Sequence, residues 1–257
     1  MIRLLGNGWF WLLDYLYVGY WQVQGFLFRI DPSTYRREGA TRQPVLLLPG
    51  IYETWQFMRP VADLLRDRGH PVHVVTTLGW NTASIRSSAD LVAAYLAEND
   101  LRNVLVVAHS KGGLIGKYTM LRCDPESRIE RMIAISTPFS GSVYARYVLM
   151  RSIRDFSPTD TTLRMLREHL EVNARITSIW GTFDPHIPGG SRLDGATNVL
   201  LKASGHFRIF GTRELLDAVD RAAQGRPQSA AARERAEGTP PASAITPDTV
   251  PPAAAQE

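Results

Sequence analysis

From residue 44 onward the chain alternates short, nearly continuous apolar runs with longer stretches whose apolar residues recur every three or four positions. The runs are Pro44–Leu48, Val72–Thr76, Asn103–Ala108, Arg131–Ser136, Arg175–Trp180 and Thr197–Leu201. Runs of Val, Ile and Leu without polar alternation read as strands buried on both faces, as in a parallel sheet. Residues 55–68, 84–98, 111–122 and about 211–223 carry the helical period, and Gly69 stands where the first of these helices should stop. The alternation predicts an α/β fold, a mostly parallel, doubly wound sheet with helices on both faces. One stretch interrupts it. Residues 142–172 hold Tyr144, Tyr147, Val148, Leu149 and Met150, then Pro158, then a second helical pattern around Leu163–Leu170. An insertion there would sit over the carboxyl ends of the strands, where such sheets bind ligands, as a short helical lid.

The two ends differ from this middle. Residues 4–28 carry one formal charge, Asp14, and are crowded with Trp9, Trp11, Tyr15, Tyr17, Tyr20, Trp21, Phe26 and Phe28. The stretch is long enough to span a bilayer as a helix. Its Trp, Tyr and Gly suit the membrane interface better than the membrane interior. Asp14 interrupts the apolar run and no small-x-small site follows, which does not match a signal peptide. Three readings stay open: a first helix or strand packed on the core or over the active site, a peripheral membrane contact, or a span. From residue 225 to 257 the chain turns to Ala, Pro, Ser, Thr, Arg and Glu with almost nothing apolar and large, which predicts a disordered tail. The expected organisation is thus an aromatic segment over 1–43, an α/β domain over 44–223 and the tail.

Composition narrows the function classes. The 257 residues suffice for one well-buried domain, and 44% apolar with 21% charged residues is ordinary for a globular protein. The net charge is only +4, with Arg and Lys interleaved with acids, and no basic block has an aromatic platform beside it. Nucleic acid is therefore not an expected partner. A single cysteine, Cys123, rules out an intrachain disulfide and fits a reducing compartment, here the cytoplasm, with membrane association left open. The chain has no Cys/His cluster at zinc spacing, no GxGxxG and no P-loop, so neither a metal nor a cofactor is expected.

The candidate chemistry lies in Val104–Gly113, where an apolar run ends in Ala108-His109-Ser110-Lys111-Gly112 and a helical segment follows. A small-x-Ser-x-Gly arrangement at a strand-to-helix turn lifts the serine clear of the sheet. The positions two before and two after it must be small to let strand and helix approach. A nucleophilic serine needs a base and a group to orient that base. Asp184 follows the Arg175–Trp180 strand directly, and His206 follows the next strand and precedes the last helix. His206 is the candidate base and Asp184 its partner, with Asp194 as the obvious substitute in a Gly/Ser-rich turn. His109 flanks the nucleophile and should shape the elbow. His186 should be a loop or pocket residue, and His70, His73 and His169 structural or solvent-facing. The backbone N–H of Lys111, at a helix start, and that of Ile51 (or, second, Tyr52), after the close-approach Gly50, are the candidate oxyanion donors.

These stretches resemble the α/β-hydrolase superfamily and, more narrowly, bacterial serine lipases and esterases. The matching segments are Leu46-Leu-Leu-Pro-Gly50, Ala108-His-Ser-Lys-Gly-Gly113, Ile135-Ser-Thr-Pro-Phe-Ser-Gly-Ser142, Gly181-Thr-Phe-Asp184 and Gly205-His206, all within 44–223. Ala108 stands where Gly is usual, Pro49 where His is frequent, and little sequence precedes the first strand. The resemblance implies a cofactor-free serine hydrolase that cleaves carboxylic esters with apolar, lipid-like acyl groups through an acyl-enzyme. The alternatives are an acyltransferase using the same Ser110, Asp184 and His206, and a non-catalytic lipid-binding relative. Dehalogenases and epoxide hydrolases of the superfamily carry a carboxylate at the elbow, where this chain has Ser110. If the aromatic stretch only meets a membrane, removing residues 1–30 should weaken liposome binding and spare turnover of a small soluble ester.

Overall fold

The computed structural model describes residues 2–28, 30–37, 39–142, 156–157, 159–226 and 235–238. Strands β1 (Val45–Leu48), β2 (Val72–Val74), β3 (Val104–His109), β4 (Ile129–Ile135), β5 (Ile176–Phe183) and β6 (Thr197–Ser204) form one sheet in the order β2-β1-β3-β4-β5-β6. Every pairing among them is parallel. Parallel neighbours need crossover segments, and the helices of those crossovers cover both faces. Val45, Leu47, Leu105 and Val107 face α2 (Arg59–Asp67) and the last helix, α6 (Arg213–Ala223), and pack with Val61, Leu65, Leu215 and Val219. The alternate residues Leu46, Leu48, Val104, Val106 and Ala108 face α3 (Ile85–Glu98), α4 (Lys111–Tyr118) and α5 (Thr161–Glu168). Each such Leu or Val stabilises the fold by about 1.5–3 kcal/mol. The surface ion pairs, at about 0–1 kcal/mol each, are secondary.

Helix boundaries follow local chemistry. Ser84, Asp160 and Thr212 cap α3, α5 and α6 with their side-chain oxygens. The helix expected over 55–68 divides into a 3-10 turn, Trp55–Met58, and α2, whose first turn holds Pro60, where a missing N–H costs no helical bond. The helix expected over 111–122 widens into a π turn at Thr119–Cys123. Of the expected lid over 142–172, the segment 143–155 and residue 158 lie outside the described residues, and α5 accounts for the pattern around Leu163–Leu170. Of the tail, residues 227–234 and 239–257 lie outside the description. Within it, Ala236 is buried, Arg192 donates to the Ala236 carbonyl at 2.7 Å, and Arg235 Nε donates to the Leu200 carbonyl at 3.0 Å.

The aromatic stretch is a helix, α1 (Ile2–Leu27). Asp14 is fully buried, and Tyr17, Val18 and Trp21 pack against the core that α2 and α6 share. Their spacing of three and four puts all of them on one helix face. Leu12, Leu16, Tyr20, Val23 and Phe26 are exposed. No helix among the described residues is long and apolar enough to cross a membrane. The chain leaves β1 to one side for β2 and returns on the other side for β3. The carboxyl ends of β1 and β3 therefore flank the switch point where open α/β sheets place their sites.

Candidate active site

No loop separates β3 from α4. The chain reverses at Ser110, whose φ of 48° and ψ of −116° lie in a region unfavourable to any residue with a Cβ. Such a conformation costs about 1–3 kcal/mol and persists only where the surroundings fix it. The surroundings are tight. A Cβ on Gly112 would stand 2.1 Å from the Leu48 carbonyl oxygen. Ala108 is fully buried, and the Ser110 N–H donates to the Ile135 carbonyl at 2.9 Å, tying the elbow to β4.

The loops after β5 and β6 bring Asp184 and His206 to this serine. The Ser110 hydroxyl lies 3.0 Å from His206 Nε2, and His206 Nδ1 donates to Asp184 Oδ2 at 2.7 Å. Asp184 Oδ1 accepts the backbone N–H groups of His186 at 2.8 Å and Ile187 at 3.0 Å, which fixes the carboxylate. The substitute, Asp194, is not at the site; its side chain is 76% exposed, 3.8 Å from Arg192. Burial alone would lower the His206 pKa. The charge and hydrogen bond of Asp184 outweigh it, with Glu53 and Asp14 adding, and hold the pKa above its ordinary value. Burial pushes the Asp184 carboxyl up, but the adjacent His206 and its hydrogen bond, with His186, bring it below the usual carboxylate value. An imidazole joined to a serine hydroxyl on one side and an ionised carboxylate on the other can take the serine's proton and hold the resulting charge.

A second set of buried groups lies behind the first. His109 Nδ1 lies 2.8 Å from Glu53 Oε2, and His109 Nε2 lies 3.2 Å from the His206 carbonyl oxygen. Glu53 Oε2 also accepts the Gly50 N–H at 2.8 Å. His109 thus braces the elbow, as its place in the sequence suggests, and Glu53 links it to the loop after β1. Nothing in the sequence singles out Glu53. The Tyr52 N–H is bonded to the Trp80 carbonyl at 2.8 Å, which leaves Ile51 the better candidate donor in that loop. Lys111 is the first residue of α4; its ammonium is buried and donates to the carbonyls of Asn81, at 2.9 Å, and Ala83. Its charge therefore anchors the 81–83 loop.

His186 lines the site, with Nε2 3.1 Å from the Tyr15 hydroxyl and its ring 5.0 Å from that of Trp11. Burial and the neighbouring His206 push its pKa down to about 3, so it is a neutral wall residue at ordinary pH. Asp184, His186 and His206 place three potential metal-ligand atoms within 4.8 Å of one another. The Asp184 and His206 atoms are already occupied by the hydrogen-bond chain to Ser110, which accounts for the cluster without an ion. Beside the loop after β1 a cavity of about 480 Å³ opens against α1, lined by Phe26, Ile30, Pro49, Trp55, Val75 and Trp80 among others.

The chain has the α/β-hydrolase fold. The mature form of a Bacillus licheniformis lipase superposes with a TM-score of 0.56 at 16% identity, covering 73% of this chain and 94% of the lipase. A carboxylesterase of Nitrososphaera gargenis gives 0.53 at 12% identity, over 73% and 92%. A Bacillus anthracis bromoperoxidase gives 0.55 at 15% identity, over 70% and 91%. Residues 90–157, which hold Ser110 but neither Asp184 nor His206, match the model of the lecithin:cholesterol acyltransferase family. Comparison with curated proteins by sequence finds no match.

Proposed function

We propose that the chain is a serine hydrolase that cleaves carboxylic esters with apolar acyl groups. The observation that carries this reading is the continuous chain from Ser110 through His206 to Asp184, set on a strained elbow. Ser110 Oγ attacks the ester carbonyl while His206 Nε2 takes its proton. The N–H groups of Ile51 and Lys111 hold the tetrahedral oxyanion; loss of one such donor typically costs about 100- to 1,000-fold in rate. His206 then protonates the departing alcohol, and Asp184 keeps the imidazole oriented and its charge balanced. Water, activated by His206, resolves the acyl-enzyme. The cavity beside α1 has the size and the apolar walls to receive a hydrocarbon chain.

The match over 90–157 favours a second reading, in which an alcohol rather than water takes the acyl group. The elbow and triad are the same for both, and the fate of the acyl group separates them. The test is turnover of p-nitrophenyl esters of graded acyl length by the protein and by Ser110→Ala. Activity should fall about 10⁶-fold in the variant while its folding is retained. Added alcohol acceptor that appears in the products as a new ester assigns the transferase; free acid alone assigns the hydrolase. Equal turnover by both proteins would refute the mechanism.

A further inference from the structure

Asp14 is the one formal charge between residues 4 and 28, and it is fully buried. A buried carboxylate is tolerable only when its oxygens are bonded. Those bonds go to a single place. Oδ2 accepts the His206 N–H at 2.9 Å, and Oδ1 accepts the Phe207 N–H at 2.9 Å and the Arg208 N–H at 2.8 Å. These groups open the 3-10 turn Arg208–Gly211, whose first donors have no partner within the turn. Asp14 caps that turn from 192 residues away. Gly205 makes the approach feasible: its φ is 109°, and a Cβ there would stand 2.7 Å from Asp14 Oδ1. On its other side, the His206 carbonyl accepts from His109. The peptide groups flanking His206 are therefore held at both ends.

We infer that Asp14 is a positioning residue for His206, so that α1 belongs to the working site and not only to its surroundings. The inference rests on His206 being the base of the proposed reaction. Where His206 Nε2 sits follows from where its backbone sits, and a misplacement of about 1 Å at such a group costs on the order of 100-fold. Among the described residues, the charges of Asp184, Glu53 and Asp14 and the ring of His186 act on the His206 ring, and the His109 ring lies 4.8 Å from it. Removing the Asp14 charge leaves Asp184 and Glu53 to raise the His206 pKa, so the acid limb of the rate should move to lower pH without disappearing. A carboxylate that merely anchored a helix would leave kcat and the labelling rate of Ser110 unchanged in a folded protein, whatever its charge did to that limb.

The test uses full-length Asp14→Asn and Gly205→Ala beside the wild type. It reads kcat, KM and the pH profile on a short soluble p-nitrophenyl ester, and the rate at which a fluorophosphonate labels Ser110. Asn at 14 turns one of the three acceptor contacts into a donor facing a donor. We expect kcat to fall 10- to 100-fold with KM nearly unchanged, labelling to slow in proportion, and the acid limb to move to lower pH. Gly205→Ala displaces the carboxylate without removing its charge, and should lower kcat with a smaller change in the limb. A folded Asp14→Asn protein with the kcat and acid limb of the wild type overturns the inference. If that variant does not fold, Gly205→Ala decides, and a wild-type kcat there overturns it. A wild type that neither turns over esters nor takes the label refutes the hydrolase reading itself. Equal labelling of wild type and both variants refutes only the role of Asp14. By the same reasoning a chain lacking residues 1–30 loses turnover of small esters, the opposite of what a purely interfacial segment predicts.

Discussion

Ser110 and His206 stand 3.0 Å apart, yet the chain holds them in opposite ways. Ser110 is shaped mainly by its own neighbours in sequence, with one bond across to the Ile135 carbonyl of β4. A buried strand, one strained residue and a helix start determine where its hydroxyl points, and Gly112 lets the helix close against β1. His206 sits in a loop whose own residues fix little. Its ring is oriented by Asp184, its carbonyl is held by His109, and its N–H by Asp14, from three other segments of the chain. A nucleophile that stores backbone strain needs a rigid local frame. A base that must accept and release a proton needs a partner charge, and a charge inside a protein must come with its own bonds. The difference shows why one half of the site is a contiguous motif and the other is an assembly.

The strongest way to break the assembled half is Asp184→Asn. Replacing the orienting carboxylate of such a triad costs on the order of 10⁴-fold in kcat with little change in geometry. The pH profile sharpens the point. In the proposed reaction neutral His206 is the active form, and its pKa is raised above the ordinary value near 6.5, so the wild-type rate should climb with pH through a limb above that value. In Asp184→Asn the main influence raising the pKa is gone and burial, which lowers it, prevails. The residual activity should therefore titrate at lower pH than the wild type. An unchanged limb in a folded variant would mean that another group is the base.

The local half should break through folding as much as through chemistry. In Gly112→Ala the new methyl would meet a backbone carbonyl oxygen at 2.1 Å, which no rotamer can relieve. Overpacking of this kind costs about 3 kcal/mol, a large share of a stability of about 5–15 kcal/mol. Urea denaturation should show a lowered midpoint, and the displaced Ser110 should lose about 100-fold in kcat. A variant with wild-type stability would show that the elbow tolerates a wider turn than the close approach of β1 and α4 implies.

The contrast also explains what could be read from the residues. The strands, the elbow and the order Ser110, Asp184, His206 follow from apolar runs and from what stands at their ends, because β3, β5 and β6 each deliver one group at the same edge of the sheet. Asp184 could be preferred to Asp194 for the same reason. Asp14 was visible only as the charge that interrupts an aromatic stretch. A lone carboxylate in so apolar a segment needs a buried partner if the segment packs, but no local pattern says that the partner is a peptide loop near the other end of the domain. Glu53 carried no such signal; it lies in a short loop and becomes meaningful only once β1 and β3 are neighbours. Pattern reveals what recurs along the chain, whereas Asp14 and Glu53 act across it.

The smallest effect belongs to the outer face of α1, two residues from Asp14. Leu16 is 59% exposed, so it leaves little apolar surface to lose on substitution. Leu16→Ser should change stability by no more than about 0.5 kcal/mol, measured by urea denaturation, and leave kcat and KM on a soluble ester unaltered. Asp14→Asn, by contrast, should change catalysis. That pair of outcomes would divide α1 into a face that sets the proposed base and a face that does not. The outer face still presents Leu12, Leu16, Tyr20, Val23 and Phe26 to solvent, an arrangement that suits the boundary of a lipid layer. Sedimentation with phosphatidylcholine vesicles gives Leu16→Ser a second readout, and weaker co-sedimentation than wild type is the expected outcome if that face meets lipid. Destabilisation of 2 kcal/mol or more in Leu16→Ser without vesicles would instead mean that the outer face is covered in solution. The two faces of α1 would then both be structural, and the division drawn through this helix would fail.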